Sequence, residues 1–184
     1  VLNSLIGIIA SSGGAAAAAN SYESIATVTV GSGGASSVTF SSIPSTYTHL
    51  QIRYIARNSS LSSNTILTFN SDTTANYSTH YLLGNGASAS AGAEVSSTYI
   101  YTDILSQTST SFAPTVVDIL DYANTNKNKT VRSLSGLDMN GSGTVWIASG
   151  AWRNTAAVSS IRLVIGAGFN FAEYSSFALY GIKG

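Results

Sequence analysis

For acid–base or nucleophilic chemistry this 184-residue chain offers two histidines, His49 and His80, eight carboxylates and no cysteine. Without a thiol there is no disulfide framework, no thiolate zinc site and no Cys nucleophile. A hydrolase would have to join one of the many serines to a histidine and a carboxylate. The G-x-S-x-G elbow that presents such a serine is missing. His49 falls on the polar face of an alternating segment, and His80 lies within another, 77–83. Glycoside hydrolysis would need two carboxylates in one cleft. Glu23, Asp72, Glu94, Asp103, Asp118, Asp121, Asp138 and Glu173 are scattered instead. Asp118 and Asp121 have opposite strand parity and are expected on opposite faces. These carboxylates read as solvated or loop-capping groups.

Metal chemistry is equally thin. There is no EF-hand loop and no His-x-x-x-His spacing, so loops at Asp72 and Asp138 are the places where a calcium ion would have to sit. The run Gly31-Ser32-Gly33-Gly34 lacks the lysine and following helix of a phosphate loop and reads as a turn. The expectation is a non-enzymatic protein with no catalytic residue, no metal and no cofactor. The glycosylation sequons at Asn58, Asn76, Asn128 and Asn140 follow from the abundance of Ser and Thr.

Aromatic residues offer the remaining recognition chemistry. Trp146 and Trp152 share parity in segment 144–152, with Ala148 and Gly150 between them, and Tyr99 and Tyr101 share a face of another segment. Exposed, they would form a platform on which sugar rings stack. Covered, they belong to the core or a subunit interface, where Trp and Tyr are enriched. The covered reading is preferred.

The elements that position these residues repeat with period two. Segments 22–30, 37–40, 47–57, 65–69, 77–83, 98–105, 115–122, 130–139, 144–152, 160–165 and 176–183 are rich in Val, Ile, Thr, Tyr or Phe and bounded by Gly, Asn and Ser. Such spacing predicts an all-β, antiparallel sandwich or barrel. No 10–15-residue helical pattern separates the strands, and no internal period is visible. In 47–57, Leu50, Ile52, Tyr54 and Ala56 face inward. The expected core is Val28, Val30, Val38, Phe40, Leu50, Ile52, Tyr54, Phe69, Ile161, Leu163, Phe177 and Leu179. Segment 84–97, of Ala, Ser and Gly, reads as a flexible low-complexity loop. Segment 124–129 reads as a hairpin tip.

Residues 1–20 differ. Leu2, Leu5, Ile6 and Ile9 recur at helical spacing with Ile8 beside them, then Gly13-Gly14 and an alanine run follow. One such short helix is marginal alone and needs a partner surface. The stretch is too short to span a membrane and lacks the positive charges that precede a signal sequence's apolar region. Because the chain opens on Val1, residues precede it or an initiator Met has been removed. The expected organisation is a docking arm or linker over 1–20 and a β-sandwich domain over 21–184.

Charge is scarce, with 9% of residues ionised in equal numbers of either sign. An ordinary soluble domain carries about 25%. With no basic face for a phosphate backbone, nucleic acid is a poor partner. Serine, threonine and asparagine number 32, 19 and 13 and supply the polar exterior. A nearly uncharged surface lacks the self-repulsion that keeps lone domains apart, and suits a protein held in an assembly.

Two segments carry a family resemblance. The stretch SYESIATVTVGSGGASSVTFSSIPSTYTHLQIRYIAR (21–57) resembles the opening of small tailed-bacteriophage virion proteins. The closing stretch (158–184) resembles their ending, with Phe171, Ala172, Ser175, Phe177, Leu179, Tyr180, Gly181 and Ile182 at the matching positions. The resemblance covers roughly a third of the chain. It implies a jelly-roll-like β-sandwich, a homotrimer, no catalytic residues, and a place on the outer surface of the capsid or in the tail. The implied partners are the major capsid protein or other virion proteins, with neither nucleic acid nor membrane. A capsid decoration or cement role would use Leu2, Leu5, Ile6, Ile8 and Ile9 as the docking arm. Burying each such side chain contributes about 1.5–3 kcal/mol, against about 1–2 kcal/mol per ordered residue. Three arms engaging together would convert a marginal contact into a firm one. The alternative is a receptor- or glycan-binding head-fibre or tail-tip module using Tyr99, Tyr101, Trp146 or Trp152.

Overall fold

The computed structural model describes residues 21–60, 63–105 and 110–184. The docking arm, with Leu2, Leu5, Ile6, Ile8 and Ile9, lies outside the described residues. Twelve strands are found among those described: β1 (Tyr22–Thr29), β2 (Val38–Phe40), β3 (His49–Ala56), β4 (Ser63–Phe69), β5 (Tyr77–Gly84), β6 (Ala89–Ser97), β7 (Ile100–Leu105), β8 (Ala113–Leu120), β9 (Lys129–Asp138), β10 (Gly143–Trp152), β11 (Ile161–Ile165) and β12 (Ser176–Ile182). A single 3₁₀ turn, Gly166–Gly168, follows β11. None of the described helices is long and apolar enough to cross a membrane.

The strands form two antiparallel sheets. One has eight strands in the order β1-β12-β3-β8-β9-β10-β5-β6, and the other four in the order β2-β11-β4-β7. The fold is an all-β sandwich. Alternation decides which residues fill it, since every second side chain of a strand meets the other sheet. In β9 and β10 the pattern is nearly strict, buried then exposed along almost the whole strand. Eleven of the twelve expected core residues are fully buried, and Val28 packs half-buried against them. A stacked Tyr54–Phe177 pair and an edge-on Phe171–Phe177 pair, with centroids 5.1 and 4.8 Å apart, hold one end of the core. Phe69, Tyr77 and Trp152 cluster elsewhere within it.

Segment 84–97 is not a loop. Its residues from Ala89 to Ser97 form β6, an edge strand paired to β5. Ala, Ser and Gly give no hydrophobic alternation, so the strand had no signature. Backbone pairing and one close fit hold it. The Tyr81 ring lies over Gly92, where any Cβ would come within 2.4 Å of the ring. Gly150 has the same reason to be glycine, because Ile100 of β7 fills the space a side chain would need.

Candidate functional site

The two fully buried charged groups among the described residues, Asp103 and Lys129, hold the fold together. Asp103 of β7 is wholly buried between the sheets. Its carboxyl accepts from the Tyr54 hydroxyl at 2.5 Å, the Thr115 hydroxyl at 3.0 Å and the Thr65 backbone N–H at 3.0 Å. Ser135 extends the set, with its hydroxyl 3.0 Å from that of Thr115. Tyr54, Thr115 and Ser135 come from the large sheet, Asp103 and Thr65 from the small one, so the network ties the layers together. Burial pushes the Asp103 carboxyl up, the hydrogen bonds only partly offsetting it. Burial and the neighbouring Asp103 push the Tyr54 hydroxyl up as well.

Lys129 is also fully buried. Its ammonium donates to the carbonyls of Asn124, Lys127 and Thr155 at 2.6, 2.9 and 3.0 Å, which uses all three of its protons. It gathers the β8–β9 turn and the segment after β10, and desolvation lowers its pKa. Asp72 caps its own loop. It accepts from the Thr74 N–H, the Asn76 amide and the Trp152 indole N–H, the last at 2.7 Å. Hydrogen bonds led by the Thr74 hydroxyl hold its carboxyl well below the usual range. Those donors occupy the oxygens a calcium ion would have used. Asp138 accepts from the Asn140 N–H in its own turn. Among the described residues no three acidic or histidine side chains converge on a point.

His49 does not assemble a triad. Its Nδ1 accepts the Asp121 backbone N–H at 2.9 Å, whereas a catalytic histidine donates from Nδ1 to its carboxylate. The opposite-face expectation for Asp118 and Asp121 fails for a related reason. The strand ends at Leu120, and Asp121 turns away at φ +49°. Its carboxylate meets Lys127 at 2.5 Å and lies 3.6 Å from His49, whose strand parity is that of the sheet's outer face. Asp118 is on that same outer face, bound to Gln51 at 2.7 Å and Arg132 at 2.8 Å. His80 stands exposed there between Ser149 and Ala93.

The tryptophans are covered, which removes them from any stacking platform. Trp152 is in the core and its indole is engaged by Asp72. Trp146 is 2% exposed, stacks on Tyr81 at 4.3 Å, and leaves its indole N–H without a hydrogen-bond partner. Tyr99 and Tyr101 are brought together half-buried, their hydroxyls 3.1 Å apart and their rings tilted by 51°. Desolvation and the Tyr99 contact raise the Tyr101 pKa.

What sequence reading missed is the outer face of the eight-stranded sheet. Ten large apolar side chains are exposed among the described residues, and at least eight of them lie on this face: Tyr22, Ile55, Leu82, Val116, Leu120, Leu134, Val145 and Ile147. Register lines them up. Val116 pairs with Leu134, Leu134 with Ile147, Ile147 with Leu82 and Leu82 with Ala91, one unbroken row across five strands. Beside it, Ile55 pairs with Pro114, and Val145 pairs with both Gly136 and Gly84. Leu82, Leu134 and Val145 are each more than half exposed, at 51, 56 and 60%. A trough of about 680 Å³ lies at the end of these strands beside Gly84 and Gly136, walled by Phe112, Pro114, Leu137, Asp138 and Val145. Each strand looks half-polar when read alone, and only the pairing register joins the apolar positions. No protein-family model, no curated protein and no solved structure matches the chain.

Proposed function

We propose that this chain is a non-enzymatic structural protein of a bacteriophage virion, a capsid decoration or cement protein acting as a homotrimer on the capsid surface. It docks on capsid subunits through Leu2, Leu5, Ile6, Ile8 and Ile9 and stabilises the shell. One observation carries the reading. The buried charged groups Asp103 and Lys129 are spent on internal bonding, while a row of apolar side chains across the outer sheet face is exposed among the described residues. Soluble monomers rarely expose contiguous apolar patches of this kind. A body made this way is meant to be covered by other protein.

Strand order supports the jelly-roll part of the proposal. Setting aside β1, β12 and the β9–β10 hairpin, the large sheet reads β3-β8-β5-β6 against β2-β11-β4-β7. The chain then moves between the layers as two interleaved Greek keys would require. The hairpin is an insertion that widens one sheet.

The test is attachment to capsids that lack the protein. Deleting residues 1–12 should leave the sandwich folded and abolish occupancy, and unchanged occupancy would overturn the cement mechanism. The receptor- or glycan-binding alternative now rests on the Tyr99–Tyr101 pair, and loss of glycan or cell binding in Tyr101→Ala would favour it.

A further inference from the structure

We propose that the outer face of the eight-stranded sheet is the surface on which a second copy of this chain packs. The inference names a partner for that face and holds whether or not the chain sits on a virion.

Three observations on the face converge. The first is extent. The six strands β3-β8-β9-β10-β5-β6, about eight residues long at roughly 3.3 Å each and about 4.8 Å apart, span on the order of 750 Å². A standard specific interface uses about 800 Å² per partner.

The second is charge. The ion pair on the face, Arg132–Asp118 at 2.8 Å, neutralises itself. Arg53 lies over the rings of Tyr22 and Tyr180, 5.5 Å from each centroid. The apolar rows contain no charge. With Asp138 also exposed on the face, its two arginines and two aspartates balance, so the face exerts no strong field of one sign and two copies meet on it without net repulsion.

The third is the glycines. Gly84 and Gly136 point outward from strands, where glycine weakens a sheet. Neither is required by its own fold. A Cβ at Gly84 would meet nothing within 4 Å, and one at Gly136 only the Thr144 carbonyl at 3.8 Å. A strand glycine with free space above it leaves room for the close approach of another backbone.

The experiment measures the mass of the full chain by sedimentation from about 1 to 100 µM. The wild type should form a discrete oligomer of two or three copies. The double variant Leu134→Asp, Ile147→Asp should weaken self-association by at least about a hundredfold, since two carboxylates would be buried without partners. Both positions are exposed in the single chain, so its circular dichroism should be unchanged. Gly136→Val is the second variant, expected to weaken association by blocking close approach while keeping the fold. Thr39→Asp, on the opposite sheet beside Arg162, should associate like wild type. A wild type that is monomeric at 100 µM, or a double variant or Gly136→Val that associates as tightly as wild type, overturns the proposal. Capsid attachment is measured separately, so loss of the virion reading would leave this result standing.

Discussion

The two faces of the eight-stranded sheet are made by the same strands and differ by one residue step along each. On the inner face that step selects Val131, Ser133 and Ser135 from β9 and Trp146, Ala148 and Trp152 from β10, all covered by the fold. On the outer face it selects Leu134, Val145 and Ile147, which are exposed and which none of the described residues covers. Hydrophobicity alone does not separate them, since both faces are apolar. What separates them is polar chemistry. The inner face carries groups that must find partners, such as Asp103's neighbours and Lys129, and each bond restricts how the layers sit. The outer face keeps its charged groups, Arg53, Asp118, Arg132 and Asp138, beside the apolar row of Val116, Leu134, Ile147 and Leu82, and that row itself can be covered without desolvating a charge.

Substitutions should break the comparison in graded fashion. Trp152→Ala should cost the most, about 3–5 kcal/mol in denaturant unfolding, because it opens a cavity among Phe69 and Tyr77 and releases Asp72. Asp103→Ala should cost about 2–4 kcal/mol, leaving the Thr65 N–H, Thr115 and Tyr54 short of an acceptor.

Asp103→Asn sharpens the point through pH. The carboxyl is raised in the folded state, so its contribution is complete below about pH 3.8 and is lost as pH rises through the elevated value. The stability of wild type relative to Asp103→Asn should therefore fall as pH rises from about 4 to 7, read as the difference in melting temperature between the two proteins. Asp72 acts in the opposite sense, losing stability as the solution is acidified below its ordinary range. Lys129→Met should cost about 1–3 kcal/mol and speed amide exchange in the 121–128 turn, whose carbonyls lose their donor. At the small end, Leu134→Ser measured at a concentration where the chain is monomeric should change unfolding by no more than about 0.5 kcal/mol.

Much of the sandwich was legible because period-two alternation is local. Leu50, Ile52 and Tyr54 announce an inward face without reference to any other strand. Strand β6 was illegible because Ala, Ser and Gly carry no alternation, and its place depends on Tyr81 in the strand next to it. Asp121 misled because parity ends with the strand, one residue before it. The two tryptophans were read with the correct shared parity, yet only packing could say that both are covered. The outer face is the instructive failure. Leu134 looks like an isolated apolar residue between serines and Ile147 like part of the run Val145–Ala148, and their adjacency is a property of register, which arises from strand pairing.

Because the chain has no cysteine of its own, a single engineered thiol reports on one position at a time. Maleimide labelling of Leu134→Cys and of Thr39→Cys, across the concentration range of self-association, tests the central claim most directly. The Leu134→Cys thiol should react at an ordinary exposed rate when dilute and at least about tenfold more slowly when concentrated, while Thr39→Cys reacts equally at both. Equal reactivity of the two thiols at every concentration would mean that no second copy covers the outer face.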